Sequence, residues 1–196
     1  MADSGEIIRT RIQQSIEVKQ AMLEPQVVER VAHAADAMTR CLQGGGKVLF
    51  CGNGGSAADA MHLSAELLGR FQLERDALAS VSLSDNVSAM TAIGNDYDYS
   101  ETFSRQVRGL GRRGDVLVAL STSGNSRKVL HAVQAARDLG LTTVGLTGSP
   151  GGSLAEAVDH PLVMPTSDTA RVQEGYMLAA HVMCELVEAA MASNGA

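Results

Sequence analysis

Between residues 6 and 23, Ile8, Ile12 and Ile16 recur every fourth position with Glu17, Lys19 and Gln20 among the intervening polar residues, which predicts an amphipathic helix. Pro25 ends or kinks it. A second helix, over about Gln26 to Gln43, carries Val27, Val31, Ala34, Ala35 and Met38 and stops at Gly44, Gly45 and Gly46, where left-handed backbone costs little. From Lys47 the rhythm changes to short apolar runs, at Lys47–Cys51, Ala79–Leu83, Asp115–Leu120, Thr142–Thr147 and Pro161–Met164. Helices are predicted between and after them at 56–70, 86–93, 100–111, 126–139 and 168–192. Apolar strands joined by helical crossovers imply an α/β fold, a doubly wound five-stranded parallel sheet flanked by helices. The length of 196 residues suits a single domain spanning 1–196, with a helical pair over 1–45 ahead of an α/β core.

Composition narrows the function classes. A net charge of -6 with thinly spread Lys and Arg offers no footprint for nucleic acid, and aromatics at 3% leave few platforms for stacking bases. Cys41, Cys51 and Cys184 form no close-spaced pair, so they read as reduced and mostly buried thiols. The opening residues lack a basic stretch followed by an apolar one, and no run of about 18 apolar residues occurs, so a cytoplasmic protein without membrane contact is expected.

In an open doubly wound sheet, ligands sit beyond the carboxyl ends of the strands, and the loops there carry the candidate chemistry. After the first strand, Gly52-Asn53-Gly54-Gly55-Ser56-Ala57 fits a loose dinucleotide fingerprint. The acidic residue that should follow by about 20 positions is missing, and Asp85 lies too far on, so no nucleotide cofactor is expected. What remains is a glycine-lined turn with amides aimed at a ligand. After the third strand, Ser121-Thr122-Ser123-Gly124-Asn125-Ser126 places four hydroxyls at the mouth of a helix. One such residue would serve as an N-cap; four, with free amides and the helix dipole, suit a phosphate ester.

His62 and Glu66 stand four apart on one face of the helix after the glycine turn, so they can share a ligand. A surface pair between Glu66 and Arg70 is the plain alternative. In the last helix Gln173 and His181 interrupt an apolar run, about 80° apart around the axis. A lone His on such a helix is more often a hydrogen-bonded core residue. Asn95 and Asp96 sit in a short polar stretch that turn chemistry alone would explain, although both types also hold sugar hydroxyls.

Taken together, Cys51–Ala60, His62, Glu66, Thr91–Tyr97, Leu120–Ser126 and Arg171–Glu174 with His181 resemble the phosphoheptose isomerase family, a branch of the sugar-isomerase (SIS) domain superfamily, over nearly the whole chain. The resemblance implies a flavodoxin-like SIS fold and a homotetramer whose N- and C-terminal helices form a central bundle. It implies interconversion of sedoheptulose 7-phosphate and D-glycero-D-manno-heptose 7-phosphate, the first step toward activated heptose for lipopolysaccharide and related surface glycans. By the same resemblance, Ser56, Ser121, Thr122, Ser123 and Ser126 hold the phosphate and nearby oxygens, and Asn53, Gly54, Gly55, Asn95, Asp96 and Gln173 contact the sugar. Glu66 and His181 move protons, with Glu66 also touching substrate, and His62, Glu66, Gln173 and His181 bind one zinc ion per subunit. Met61 stands where the family usually has Gln, and Tyr176 where many members carry another His. Two other readings stay open: a replication-initiator-binding protein of the same fold without catalysis, and an isomerase or sensor for a different sugar phosphate such as a hexosamine phosphate.

Overall fold

Strand β1 (Val48–Cys51) lies between β2 (Ser80–Ser82) and β3 (Val116–Leu120), and β4 (Thr142–Gly148) and β5 (His160–Met164) complete a parallel sheet of order β2-β1-β3-β4-β5. The computed structural model describes residues 3–192; the ends of the 1–196 span expected above lie outside the described residues. The chain reverses direction across the sheet between β1 and β3, the switch point where open α/β sheets leave a crevice.

Both faces of the sheet are covered, which is why the strands are apolar throughout. Val48, Phe50, Val116, Val118, Leu120, Val144 and Leu146 face one layer, built by helices α1 (Ser4–Ala21), α2 (Pro25–Gln43), α3 (Gly55–Leu68) and α8 (Thr169–Ala192). Leu49, Cys51, Leu117 and Ala119 alternate toward the other layer, formed chiefly by α5 (Thr102–Leu110), α6 (Arg127–Leu139) and α7 (Gly152–Ala157). Pro25 occupies the first turn of α2, where its missing N–H is no loss.

Three expectations are corrected. Helix α7 was not anticipated, because Gly151 and Gly152, both at positive φ, disguise its start. Helix α4 (Val87–Asp96) runs past residue 93, so Asn95 and Asp96 belong to its last turn rather than to a polar loop. The predicted helix 100–111 opens with a 3-10 turn over Tyr99–Glu101. The isoleucine stripe of α1 forms as expected, yet Ile8, Ile12 and Ile16 face away from their own chain, 43–59% exposed.

At the amino-terminal edge of the sheet, opposite the crevice, Asp115 ties β1 to β3. Its carboxylate accepts from Lys47 N at 2.9 Å, Arg112 N at 2.8 Å and Lys47 Nζ at 2.6 Å.

All three cysteines are free and buried. Burial pushes the Cys41 thiol up to about 11, helped by the nearby Asp115 charge, and pushes Cys51 and Cys184 up to about 12. Thiolate is the reactive form, so the native protein should resist Ellman's reagent at mildly alkaline pH, and all three thiols should react once guanidinium unfolds it. Rapid labelling of the native protein contradicts that burial.

Candidate active site

Helices α3 and α8 run side by side in the same direction, and a polar seam lies between them. Gly55, Asp59, His62 and Glu66 follow i, i+4, i+7, i+11 spacing and so share one face of α3. Gln173, Tyr176 and His181 meet that face from α8. Glycine at position 55 leaves room for the Gln173 amide, which would lie within 2.7 Å of a Cβ there and would have to move aside.

At the upper end of the seam, His62 Nε2 lies 2.8 Å from His181 Nε2 and 3.3 Å from Glu66 Oε1. The three donor atoms lie within 4.8 Å of one another. Glu66 does not pair with Arg70, which reaches Glu74 at 3.9 Å instead, so the surface-pair alternative is not what forms. His181 is no ordinary core histidine either. One ring nitrogen faces His62, while the aromatic face of Phe71 stacks on it at 5.6 Å between centroids and 24° between planes. Two imidazoles and a carboxylate form a nitrogen and oxygen donor set that could hold a divalent cation and that suits zinc without being exclusive to it.

At the lower end of the seam the polar side chains hydrogen-bond one another. Gln173, expected among the metal ligands, gives its amide hydrogen to Asp59 Oδ2 at 2.7 Å. Eight residues separate it from His181, about 12 Å along the axis of α8. Tyr176 is fully buried and donates to the same Asp59 oxygen at 2.9 Å, leaving its own oxygen 2.8 Å from Ser56 Oγ. Burial raises the Tyr176 phenol, so its proton stays in place. The Ser56 hydroxyl, expected to face a phosphate, is therefore taken up by Tyr176. Asp59 escaped the sequence reading, although its place one turn before His62 on the same face was a usable signal.

At the switch point the loops after β1 and β3 come together. Asn53, after β1, donates through Nδ2 to Ser126 Oγ at 2.8 Å, which joins the two ligand loops across the carboxyl ends of β1 and β3. Ser126 is the N-cap residue of α6 yet makes no capping hydrogen bond, and α3, whose N-cap is Gly54, has no side-chain cap. Two helix amino termini thus leave amides unclaimed by their own side chains, the condition for binding an anion. The loop Ser121–Ser126 is braced from behind. Ser121 N donates to Leu146 O at 3.0 Å, Gly148 N to Thr122 O at 3.1 Å, and Leu154 N to Gly124 O at 2.9 Å. Gly124 has φ +68°, and any Cβ there would collide with the carbonyl of Gly151, so the α7 loop dictates glycine. Ser123 Oγ accepts from Asn125 N at 3.2 Å, while Asn125 Oδ1 accepts from Ser153 N at 3.1 Å. Asn95 Nδ2 donates to Asp96 Oδ1 at 2.8 Å on the exposed last turn of α4.

The family model for the SIS domain matches residues 12–148. The chain is 52% identical over 163 residues to phosphoheptose isomerase of Rhodospirillum rubrum, covering 83% of this chain and 87% of that one. It is 47% identical over 194 residues to phosphoheptose isomerase of Neisseria meningitidis, covering 97% and 98%. The solved structure of phosphoheptose isomerase from Neisseria gonorrhoeae superposes with a TM-score of 0.90 at 44% identity, covering 95% of this chain and 100% of that one. With identity and fold agreeing over nearly the full length, the chain belongs to the phosphoheptose isomerase family of SIS domain proteins.

Proposed function

We propose that this protein interconverts sedoheptulose 7-phosphate and D-glycero-D-manno-heptose 7-phosphate through an enediol. The observation that carries the reading is the meeting of Glu66 and His181, from helices far apart in sequence, within 4.8 Å. Aldose–ketose exchange needs a base at carbon and an acid at oxygen. Glu66 takes a proton from C1 of the ketose, exchanges it with solvent and delivers one to C2, while His181 passes protons between the two oxygens.

Distance supports the same assignment. From the amino terminus of α3 to His62 is about 10 Å along the helix. An extended seven-carbon phosphate ester spans about 9–10 Å from C1 to phosphorus, at ~1.2 Å per bond. Ser121, Thr122, Ser123 and Ser126 therefore hold the phosphate together with the free amides of α3, to which Ser56 contributes its N–H instead of its occupied hydroxyl. Asn53, Gly54, Gly55, Asn95, Asp96 and Gln173 serve the sugar hydroxyls. His62, Glu66 and His181 would hold a zinc ion, with Gln173, now bonded to Asp59, as the further ligand the family resemblance implies. A zinc ion bound there would supply Lewis acidity to the substrate carbonyl.

The exposed isoleucines of α1, with Leu178, Val182 and Leu186 of α8 at 37–44% exposure, support a homotetramer bundled through these helices and the 1–45 pair. Unpaired thiols support a cytoplasmic location. Among the described residues no helix is long and apolar enough to cross a membrane.

The test is incubation with sedoheptulose 7-phosphate. Aldose phosphate should accumulate, chelator should slow it at least about tenfold, and added zinc should restore it. Sugar left unchanged under all three conditions contradicts the reading and points to a passive binding role.

A further inference from the structure

We propose that the buried pair Arg75–Glu188 is a positioning device for the acid–base pair, acting through Phe71. The idea rests on the isomerase reading for its kinetic consequences, but the geometry behind it does not. Glu188 lies seven residues beyond His181 on α8, its side chain 1% exposed, and its carboxylate accepts three consecutive amides, Phe71 N at 2.8 Å, Gln72 N at 2.6 Å and Leu73 N at 2.8 Å. Burial alone would raise this carboxyl; the three amides and Arg75 outweigh it and hold the group below its ordinary value. Arg75, 4% exposed, faces Glu188 with Nε at 3.2 Å, and its other nitrogens donate to carbonyls of the α3 terminus and, from Nη1 at 3.0 Å, to Asp76 O. Nη2 donates to Glu66 O at 2.8 Å, and Nη1 to Leu67 O at 2.8 Å and Gly69 O at 3.0 Å.

The consequence is geometric. One ion pair fixes the backbone of Glu66 on α3 and, through the Phe71 amide, sets the ring that stacks on His181. A salt bridge serving only stability has no need to gather both helices that bear the reacting groups. Phe71 closes one face of the imidazole and so restricts its rotation, leaving the ring edge turned to His62. Groups that orient ligands and acid–base residues typically change cation affinity or activity by about 10–100-fold when removed.

The experiment uses full-length protein and two readouts, kcat with KM on sedoheptulose 7-phosphate, and binding of cobalt(II) alone followed by its visible absorption. Phe71→Leu should lower kcat about tenfold with KM within about twofold, and weaken cobalt binding about tenfold, while Phe71→Tyr restores both. Glu188→Gln should reproduce these losses, and the double variant Glu188→Gln/Phe71→Leu should be no worse than the poorer single, because both changes release the same ring. Should Glu188→Gln fail to fold, the Leu and Tyr variants at position 71 decide the matter. Wild-type kcat and cobalt affinity in Phe71→Leu overturn the proposal, as do multiplying losses in the double variant. A wild-type protein that binds cobalt but leaves the sugar unchanged sinks the isomerase reading instead, and the cobalt comparison still judges this one.

Discussion

Glu66→Gln should lower kcat on sedoheptulose 7-phosphate by about 10²- to 10⁴-fold, the usual contribution of one positioned proton-transfer group. The amide keeps the shape of the carboxylate and its reach toward His62 Nε2, now 3.3 Å away, but cannot take a proton from carbon. With 21% of the Glu66 side chain in solvent, the substitution creates no cavity and strands no buried charge, so melting should shift by less than about 2 °C. Loss of a cation ligand is the competing cause, because Glu66 also belongs to the donor triad. Saturating zinc separates the two: a deficit that persists there belongs to proton transfer, and one that disappears belongs to metal affinity. Wild-type turnover in this variant contradicts the assignment altogether.

Asp115→Ala should have the largest effect on stability while sparing chemistry. Removing the carboxylate, whose side chain is 3% exposed, abandons two backbone amides and the Lys47 ammonium at once. Breaking a buried pair from one side costs about 3–5 kcal/mol; Lys47 keeps 26% of its side chain in solvent, which places the cost near 3 kcal/mol. For a chain of this size that is a fall of about 6–12 °C in Tm. The site lies at the opposite edge of the sheet from the crevice, so kcat at low temperature should be unchanged. A melting temperature within about 2 °C of wild type would show that water replaces the lost bonds.

These two substitutions also mark how far the sequence could be read. The strands were legible because a sheet covered on both faces demands unbroken apolar runs, and Val48–Cys51 and Val116–Leu120 are buried at every position. Helix α7 was not, since its six residues begin with glycine and carry only one buried apolar side chain, Leu154. His62 and Glu66 announced themselves by local spacing, as did the hydroxyl loop before α6. What stayed hidden depends on pairings more than a hundred residues apart in the chain: Gln173 with Asp59, Tyr176 with Ser56, and Glu188 with the amide of Phe71. Such contacts follow from how α3 and α8 pack, and no periodicity within either helix encodes the partner on the other. The family resemblance supplied roles for Gln173 and Ser56, but not the fact that Asp59 and Tyr176 already engage them.

Heavy water offers the most direct measurement of the central claim, that Glu66 and His181 work on the same two sugar carbons. Sedoheptulose 7-phosphate is incubated in D2O with the wild-type protein and, separately, with Glu66→Gln, and the products are read by NMR. The account predicts a heptose 7-phosphate carrying solvent deuterium at C2 from the wild-type protein, and almost none of that product from the variant. An unaltered ketose with the wild type, or equal turnover by both proteins, contradicts it.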